Sequence, residues 1–172
     1  MRTLGLGFRN RKGQMAFYVI LLAIVLVFVF ALINVFTYKV FDEINTDMQS
    51  DDGLDNLTKE TVDDIHDRFP ETMDNALLVI LVGFFLMGIV VGYFGSEHPA
   101  LIILFFVISV FLLIVAMNVS NTWDEVMSDS DLSSLQGDFP ITDFVLDNYL
   151  LVIGGGIFSC LLAMFIRVRY GG

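Results

Sequence analysis

The chain has 172 residues, of which 56% are hydrophobic, and its formal net charge is −11 at pH 7. Soluble domains are about 45 to 50% apolar, so this composition excludes an ordinary water-soluble globule and predicts an all-α integral membrane protein. The acidic balance disfavours nucleic acid as a partner. The single cysteine excludes an intramolecular disulfide.

The amino-terminal segment 1–14 is basic and leads into the first apolar run, residues 16–36. An uncharged run of about 20 residues crosses a hydrocarbon core of about 30 Å as an α-helix. Because this run is longer than the apolar core of a cleaved secretory signal, we predict that it is retained. Lys12-Gly13-Gln14 resembles the processing site of prepilin-like signals, as in archaeal pilins, but a basic flank of a membrane helix explains the same residues.

The first of two acidic loops follows, at residues 37–75, with twelve Asp and Glu. Apolar residues recur at helical spacing on both sides of Asp51-Asp52-Gly53, which predicts short amphipathic helices in this loop. An outward continuation of the first span is the alternative for the first of them. Asn56-Leu57-Thr58 is a glycosylation sequon, and Asn56 is therefore a candidate acceptor.

Three further apolar runs, each free of charged residues and histidine, occupy residues 76–94, 100–119 and 149–166. Only five residues, 95–99, separate the second run from the third. Each run is long enough to span a bilayer as a helix. We therefore predict four transmembrane helices.

These spans pair in chain order into two tandem helical hairpins, residues 15–95 and residues 96–168. The second hairpin carries its own acidic loop, residues 120–148, with seven Asp and Glu, and the chain ends in a short tail, residues 169–172. The loops are too short for a separate soluble core. We expect them to hold short helices at most.

Small residues in the second and fourth spans predict where helices approach closely. Gly88 and Gly92 form a GxxxG pair, and the glycine run of the fourth span gives similar spacings. The predicted helix-packing positions are Gly83, Gly88, Gly92, Gly154, Gly155, Gly156 and Ser159.

Part of the sequence is repeated within the chain. Phe69-Pro70-Glu71-Thr72 and then Asp74-Asn75 precede the second span, while Phe139-Pro140-Ile141-Thr142 and then Asp147-Asn148 precede the fourth. Polar matches of this kind indicate a duplication, and parallel repeats predict a pseudo-twofold axis along the membrane normal. Each proline suits the first turn of a helix that returns to the membrane.

Charge predicts the orientation. Basic flanks of membrane spans stay cytoplasmic, so both termini are expected inside and both acidic loops outside. Six of the nine basic residues support this: Arg2, Arg9, Arg11, Lys12, Arg167 and Arg169. Aromatic rings with a polar edge settle at membrane interfaces, and on this ground Tyr38, Trp123 and Tyr149 are predicted interfacial anchors.

The sequence offers no catalytic set. No span contains an ionisable residue, which disfavours a transporter, and His66 and His98 fall on opposite sides of the membrane. Cys160 has no basic partner in its span. Asp129-Ser130-Asp131 only superficially resembles a calcium loop. We therefore predict no enzyme activity, no cofactor and no specific metal site.

The sequence favours a structural function. We expect a subunit or scaffold of a larger membrane complex, contacting the lipid bilayer and, through the acidic loops, other membrane, envelope or capsid proteins, with a homo-oligomer as a further option. Fifteen Asp against three Lys resembles the proteins of halophilic archaea, which extends the expectation to the membrane of a lipid-containing archaeal virus. The alternatives are a pore-forming, holin-like or transporter subunit and an accessory subunit of a pilus or secretion machine.

Overall fold

The computed structural model of the chain describes residues 11–95, 99–135 and 137–170, and this part is helical apart from short turns. The helices are α1 (Arg11–Ser50), α2 (Asn56–Gly95), α3 (Pro99–Met127), α4 (Pro140–Asp147) and α5 (Tyr149–Tyr170), with one 3-10 turn at Ser133–Leu135. The basic residues Arg2 and Arg9, and His98, lie outside the described residues.

Four of these helices are long and apolar enough to cross a membrane. They cover Tyr18–Ser50, Asn56–Phe94, Ala100–Met127 and Tyr149–Tyr170. The prediction of an all-α chain with four apolar helices is thereby confirmed, and it is consistent with an integral multi-pass membrane protein. A helix satisfies its own backbone hydrogen bonds, which hydrocarbon cannot do.

Along the four apolar helices, both the interior and the outer surface of the bundle are apolar. Ile24, Val27, Leu77 and Leu112 are completely buried between helices, whereas many equally large apolar side chains, such as Leu151, point outward. In water such an exposed apolar surface would drive aggregation, but in a bilayer it contacts lipid.

The helices follow each other around the bundle in the order α1, α2, α5, α3. The most extensive contact is between α1 and α2, and α5 packs against both α2 and α3. The α1–α3 contact closes the ring, while α1 and α5 touch little. The first hairpin therefore lies beside the second, with α1 next to α3 and α2 next to α5.

The first acidic loop differs from the expectation of short separate helices. Both α1 and α2 continue through residues 37–75, and only residues 51–55 link them. Pro70 lies inside α2, so the prediction that it occupies a first helical turn is wrong. A proline there removes one backbone bond to the carbonyl four residues earlier, and the packing of α2 on α1 outweighs that loss. Pro140, by contrast, does begin α4.

Candidate functional site

Most of the polar side-chain contacts of the described chain lie at one end of the bundle. Residues 37–75 and 120–148 build this end, which we call the acidic head. From Phe36, the last residue of its apolar run, α1 continues to Ser50, a distance of about 21 Å at 1.5 Å per residue. The α1–α2 pair therefore projects well beyond the apolar spans.

Hydrogen bonds join the projecting parts of α1 and α2. The Asn45 side-chain amide donates to the Asp63 carboxylate at 3.2 Å. Nearer the tip, the Gln49 amide donates to the Lys59 carbonyl at 3.0 Å, and the Lys59 ammonium donates to the Gln49 carbonyl at 2.9 Å. These reciprocal bonds hold the two helices in one register along the projection.

An aromatic cluster lies at the base of the projection. The Tyr38 ring stacks on His66 at 4.9 Å and on Phe69 at 5.8 Å, and it meets the Phe139 ring edge-on at 5.4 Å, measured between centroids. His66 Nε2 lies 3.2 Å from Asp42 Oδ1. Tyr38 thus contacts both copies of the repeated phenylalanine.

The three predicted interfacial anchors are all inside the protein, so that interpretation is corrected. Tyr38 is 6% exposed, Trp123 1% and Tyr149 0%. The Tyr149 hydroxyl donates to the Ile24 carbonyl at 2.9 Å. A neighbouring helix satisfies this polar edge, so the ring needs no contact with lipid headgroups.

The least expected feature of the acidic head is a buried carboxylate. Asp74 of α2 is 2% exposed. It accepts hydrogen bonds from the Ile141 N–H at 2.7 Å, from the Thr142 N–H at 3.0 Å and from the Thr142 hydroxyl at 2.6 Å. Charge-assisted bonds of this kind are among the stronger ones in proteins.

These bonds cap α4 from another helix. Phe139 is the N-cap residue of α4 and offers no side-chain hydrogen bond, and Pro140 follows it. An N-cap side chain normally accepts from the first N–H groups of its own helix. Here Asp74 supplies that acceptor, and its negative charge also matches the positive end of the helix dipole. We call this arrangement the Asp74 clasp.

The other end of α4 is tied to α3. The Ser120 hydroxyl donates to the Leu146 carbonyl at 2.7 Å and lies 3.2 Å from the Asp147 carbonyl. The α4 segment is therefore fixed to α2 at its beginning and to α3 at its end. Sequence reasoning missed both attachments.

Several carboxyl groups of the acidic head have a raised pKa, because their surroundings disfavour the charged form. Burial is the largest cause that raises the pKa of Asp143, with smaller contributions from the nearby Asp147 and Asp74. The Gly137 N–H, which donates to Asp143 Oδ2 at 3.1 Å, opposes this increase, as does the Trp123 side chain. Asp143 Oδ1 is buried without a hydrogen-bond partner of ordinary geometry.

Two further aspartates behave in the same way. Burial raises the pKa of Asp138, and the neighbouring Asp42 adds to the increase while His66 lowers it. Burial also raises the pKa of Asp147, together with the like charge of Asp124. Burial, with a smaller contribution from neighbouring carboxylates, thus raises the pKa of three aspartates at this end of the bundle.

A polar cavity of about 570 Å³ opens between the two Phe-Pro segments. Its lining includes Pro70 and Glu71 from the first copy, Pro140 and Ile141 from the second, and Tyr38 between them. In the described ranges no group of three or more His, Cys, Asp and Glu side chains has the geometry to hold a metal ion.

Two of the predicted packing glycines lie at close helix contacts. A Cβ on Gly92 would be 2.7 Å from Cys160 Sγ, and a Cβ on Gly156 would be 2.6 Å from the Phe85 ring. The Cys160 thiol also donates to the Gly88 carbonyl at 3.3 Å. These contacts bring α2 and α5 together.

The remaining predicted positions are less constrained. A Cβ on Gly154 would make an ordinary contact with Leu113 at 3.7 Å, while one on Gly83, Gly88 or Gly155 would meet nothing within 4 Å. The side chain next to Gly156 is Phe85 of α2, and Gly83 lies in open space. The Ser159 hydroxyl donates to the Gly155 carbonyl within α5 at 2.9 Å.

Two other polar residues bear on the predictions. Asn34 is 5% exposed, and its amide nitrogen has no hydrogen-bond partner. Asn56 is exposed at the first residue of α2, beside the tip of the head, and its glycosylation stays a prediction.

No family model, curated protein or solved structure matches this chain.

Proposed function

We propose that this chain is a non-enzymatic structural or assembly protein, a subunit or scaffold of a larger membrane complex that meets its partners through the acidic head. The observation that carries the proposal is the Asp74 clasp. All three hydrogen bonds to this buried carboxylate come from the start of α4. A buried carboxylate whose hydrogen bonds all come from the start of one helix supports a role in fixing the shape of this surface.

The projection of α1 and α2 supports the same function. It carries exposed carboxylates along two helices that are hydrogen-bonded to each other, as between Asn45 and Asp63. A rigid, charged rod that stands beyond the apolar spans suits recognition of another protein, because charge steers association and preorganisation lowers the entropic cost of binding.

We propose an orientation with both termini in the cytoplasm, or the interior of a virion, and the acidic head outside. Arg167 and Arg169 end α5 at the end of the bundle opposite the acidic head. Basic flanks are retained on the cytoplasmic side. A cysteine introduced at Asp52, with Cys160 replaced by alanine, should react with an impermeant maleimide added to intact cells or spheroplasts. Reaction only after lysis would reverse the orientation.

The two hairpins are proposed to be copies of one ancestral unit. Their Phe-Pro segments lie side by side around Tyr38 and line one cavity. The order of helices around the bundle favours copies that stack in the same sense, with α1 beside α3 and α2 beside α5. A twofold axis along the membrane normal would place corresponding helices across the bundle from each other, so we revise that part of the prediction.

The partners proposed are other membrane, envelope or capsid proteins, and the most specific setting is a halophilic archaeon or a lipid-containing archaeal virus. The support is compositional: fifteen Asp and three Lys in 172 residues. A carboxylate surface stays hydrated at molar salt, where charge repulsion is screened to within about 3 Å. Self-association of the chain is a further outcome that the following experiment detects.

The experiment is purification in mild detergent at molar and at low salt, with copurifying proteins identified by mass spectrometry. We expect a stable complex with at least one distinct membrane, envelope or capsid protein. The variant Asp52→Asn/Glu60→Gln removes two exposed charges of the head, and it should weaken that complex without lowering the melting temperature. An isolated homo-oligomer that conducts ions in a planar bilayer would instead establish the pore alternative and refute the structural function.

A further inference from the structure

An apolar groove lies far from the acidic head, between α3 and α5 near the opposite end of the bundle. It has a volume of about 390 Å³ and is lined by apolar side chains, among them Ile103 and Phe106 of α3 and Phe158, Leu162 and Phe165 of α5. These five side chains are 49 to 68% exposed. The groove lies within the apolar spans, so it opens toward lipid.

A basic residue continues the groove at its polar end. Arg169 follows Phe165 by four residues, which places it one helical turn further along the same face of α5. Its side chain is exposed, and its guanidinium lies 5.4 Å from the centre of the Tyr170 ring. Arg167 occupies a different face, where its guanidinium lies 5.5 Å from the Tyr93 ring of α2.

The beginning of α3 lies at the same depth. Ile102 and Phe165 both line the groove, and because α3 and α5 are antiparallel, one further turn of α5 brings Arg169 level with the start of α3 at Pro99. The amino-terminal end of a helix carries a partial positive charge. The polar end of the groove therefore carries an exposed basic side chain beside the start of a helix, and the remainder is apolar.

We propose that this groove binds an anionic phospholipid, with one acyl chain lying between Phe106 and Phe158 and the headgroup phosphate at Arg169. An apolar channel with one positive end matches the two parts of such a lipid. Guanidinium groups bind phosphate oxygens with two parallel hydrogen bonds. A water-borne ligand is the poorer match, because most of the groove lies in the apolar part of the spans. The inference does not depend on the proposed function of the acidic head.

Native mass spectrometry of the purified full chain tests this inference. The protein is equilibrated in detergent with equal amounts of phosphatidylglycerol and phosphatidylcholine that carry identical acyl chains, and the retained lipids are counted. One interfacial basic residue favours an anionic lipid by about fivefold. We expect a preference of that size in the wild type, its loss in Arg169→Gln and its retention in Arg169→Lys.

Two further variants separate the groove from general charge attraction. Arg167→Gln removes the same charge from the same helical turn but from another face, so the preference should persist. Leu162→Trp fills the groove and should reduce retention of both lipids. The proposal is wrong if Arg167→Gln and Arg169→Gln lose the preference equally, if the wild type shows none, or if Leu162→Trp binds as the wild type does. Melting temperatures identify any variant that is misfolded. If Arg169→Gln is misfolded, Arg169→Met, which also removes the charge, replaces it in the comparison with Arg167→Gln.

Discussion

Replacing Asp74 with alanine should loosen the acidic head. The substitution removes the acceptor of three hydrogen bonds and leaves the N–H groups of Ile141 and Thr142 at the beginning of α4 without a partner. The site is buried, with Asp74 only 2% exposed, so water cannot readily replace the lost acceptor. The expected result is detachment of α4 from α2.

The magnitude follows from the bonds. Leaving a buried donor without an acceptor costs about 1 to 3 kcal/mol, and Asp74→Ala leaves two backbone N–H groups and one hydroxyl in that state. Part of that loss is recovered when the Thr142 hydroxyl finds another acceptor, so we expect about 3 kcal/mol for Asp74→Ala. In a chain of this size the melting temperature falls by about 2 to 4 °C per kcal/mol, which gives about 6 to 12 °C. Asp74→Asn keeps one acceptor oxygen and should lose about half as much.

The chain has a convenient reporter and a convenient control. Trp123 is its one tryptophan and is buried in the acidic head, so its fluorescence follows local unfolding in detergent. The control is Asp147→Asn, because Asp147 matches Asp74 in the repeat but is exposed and lies near Asp124. Removing that charge relieves repulsion, and the melting temperature should stay constant or rise.

The outcome that would refute the reasoning is equally specific. If Asp74→Ala melts at the wild-type temperature, the three hydrogen bonds contribute no net stability. If Asp147→Asn lowers the melting temperature as much as Asp74→Asn does, then the total charge of the head, and not the clasp, determines its stability.

Three further predictions concern helix contacts and charge. Gly156→Ala should lower the melting temperature because its Cβ would be 2.6 Å from Phe85. The expected net loss of stability is about 1 kcal/mol, after the gain in helix propensity is subtracted. The control Gly155→Ala has open space around its Cβ and should not lower the melting temperature. A maleimide that enters membranes should label Cys160 only after denaturation, since Cys160 is 1% exposed; rapid labelling of the native protein would show that α2 and α5 separate. Burial raises the pKa of Asp143 above its ordinary value of 3.8, so the folded state holds a proton more readily than the unfolded state, and stability increases as pH falls from neutral through the raised pKa. Asp143→Asn should therefore melt higher than the wild type at pH 7.5 and show a smaller gain at pH 5; an unchanged gain would assign the effect to other carboxyls.

The membrane spans could be predicted from the sequence because the bilayer imposes a simple requirement. A run such as residues 100–119 has to be apolar along its whole length and has to satisfy its backbone internally, and only a helix meets both conditions. The prediction extends less far where water is the solvent. Apolar spacing indicated helices in residues 37–75, but their continuity depends on bonds between distant residues, such as Asn45 with Asp63.

The candidate site illustrates which information a sequence hides. Tyr38 and Tyr149 are of the residue type, and at the positions in the sequence, that predict interfacial anchors. Only the arrangement of the helices shows that both side chains are buried against protein. In the sequence, Asp74 is distinguished only as one position of a repeat. One signal could have pointed to its role: Phe139 precedes the helix-starting Pro140 and has no side chain able to cap it. A capless helix start predicts an acceptor from elsewhere.

The Asp74 clasp explains why the two similar sequence segments, 69–75 and 139–148, differ in structure. Asp74 and Asp147 occupy matching positions, yet only Asp74 is buried against the beginning of a helix. Asp147 has no equivalent target, because α2 runs unbroken through Pro70 and its N–H groups are already bonded within the helix. The break before Pro140 creates the free N–H groups that Asp74 accepts from, so a helix that continued unbroken through Pro140 would leave the buried Asp74 without its two backbone donors. The asymmetry of the head is therefore a condition for burying that charge.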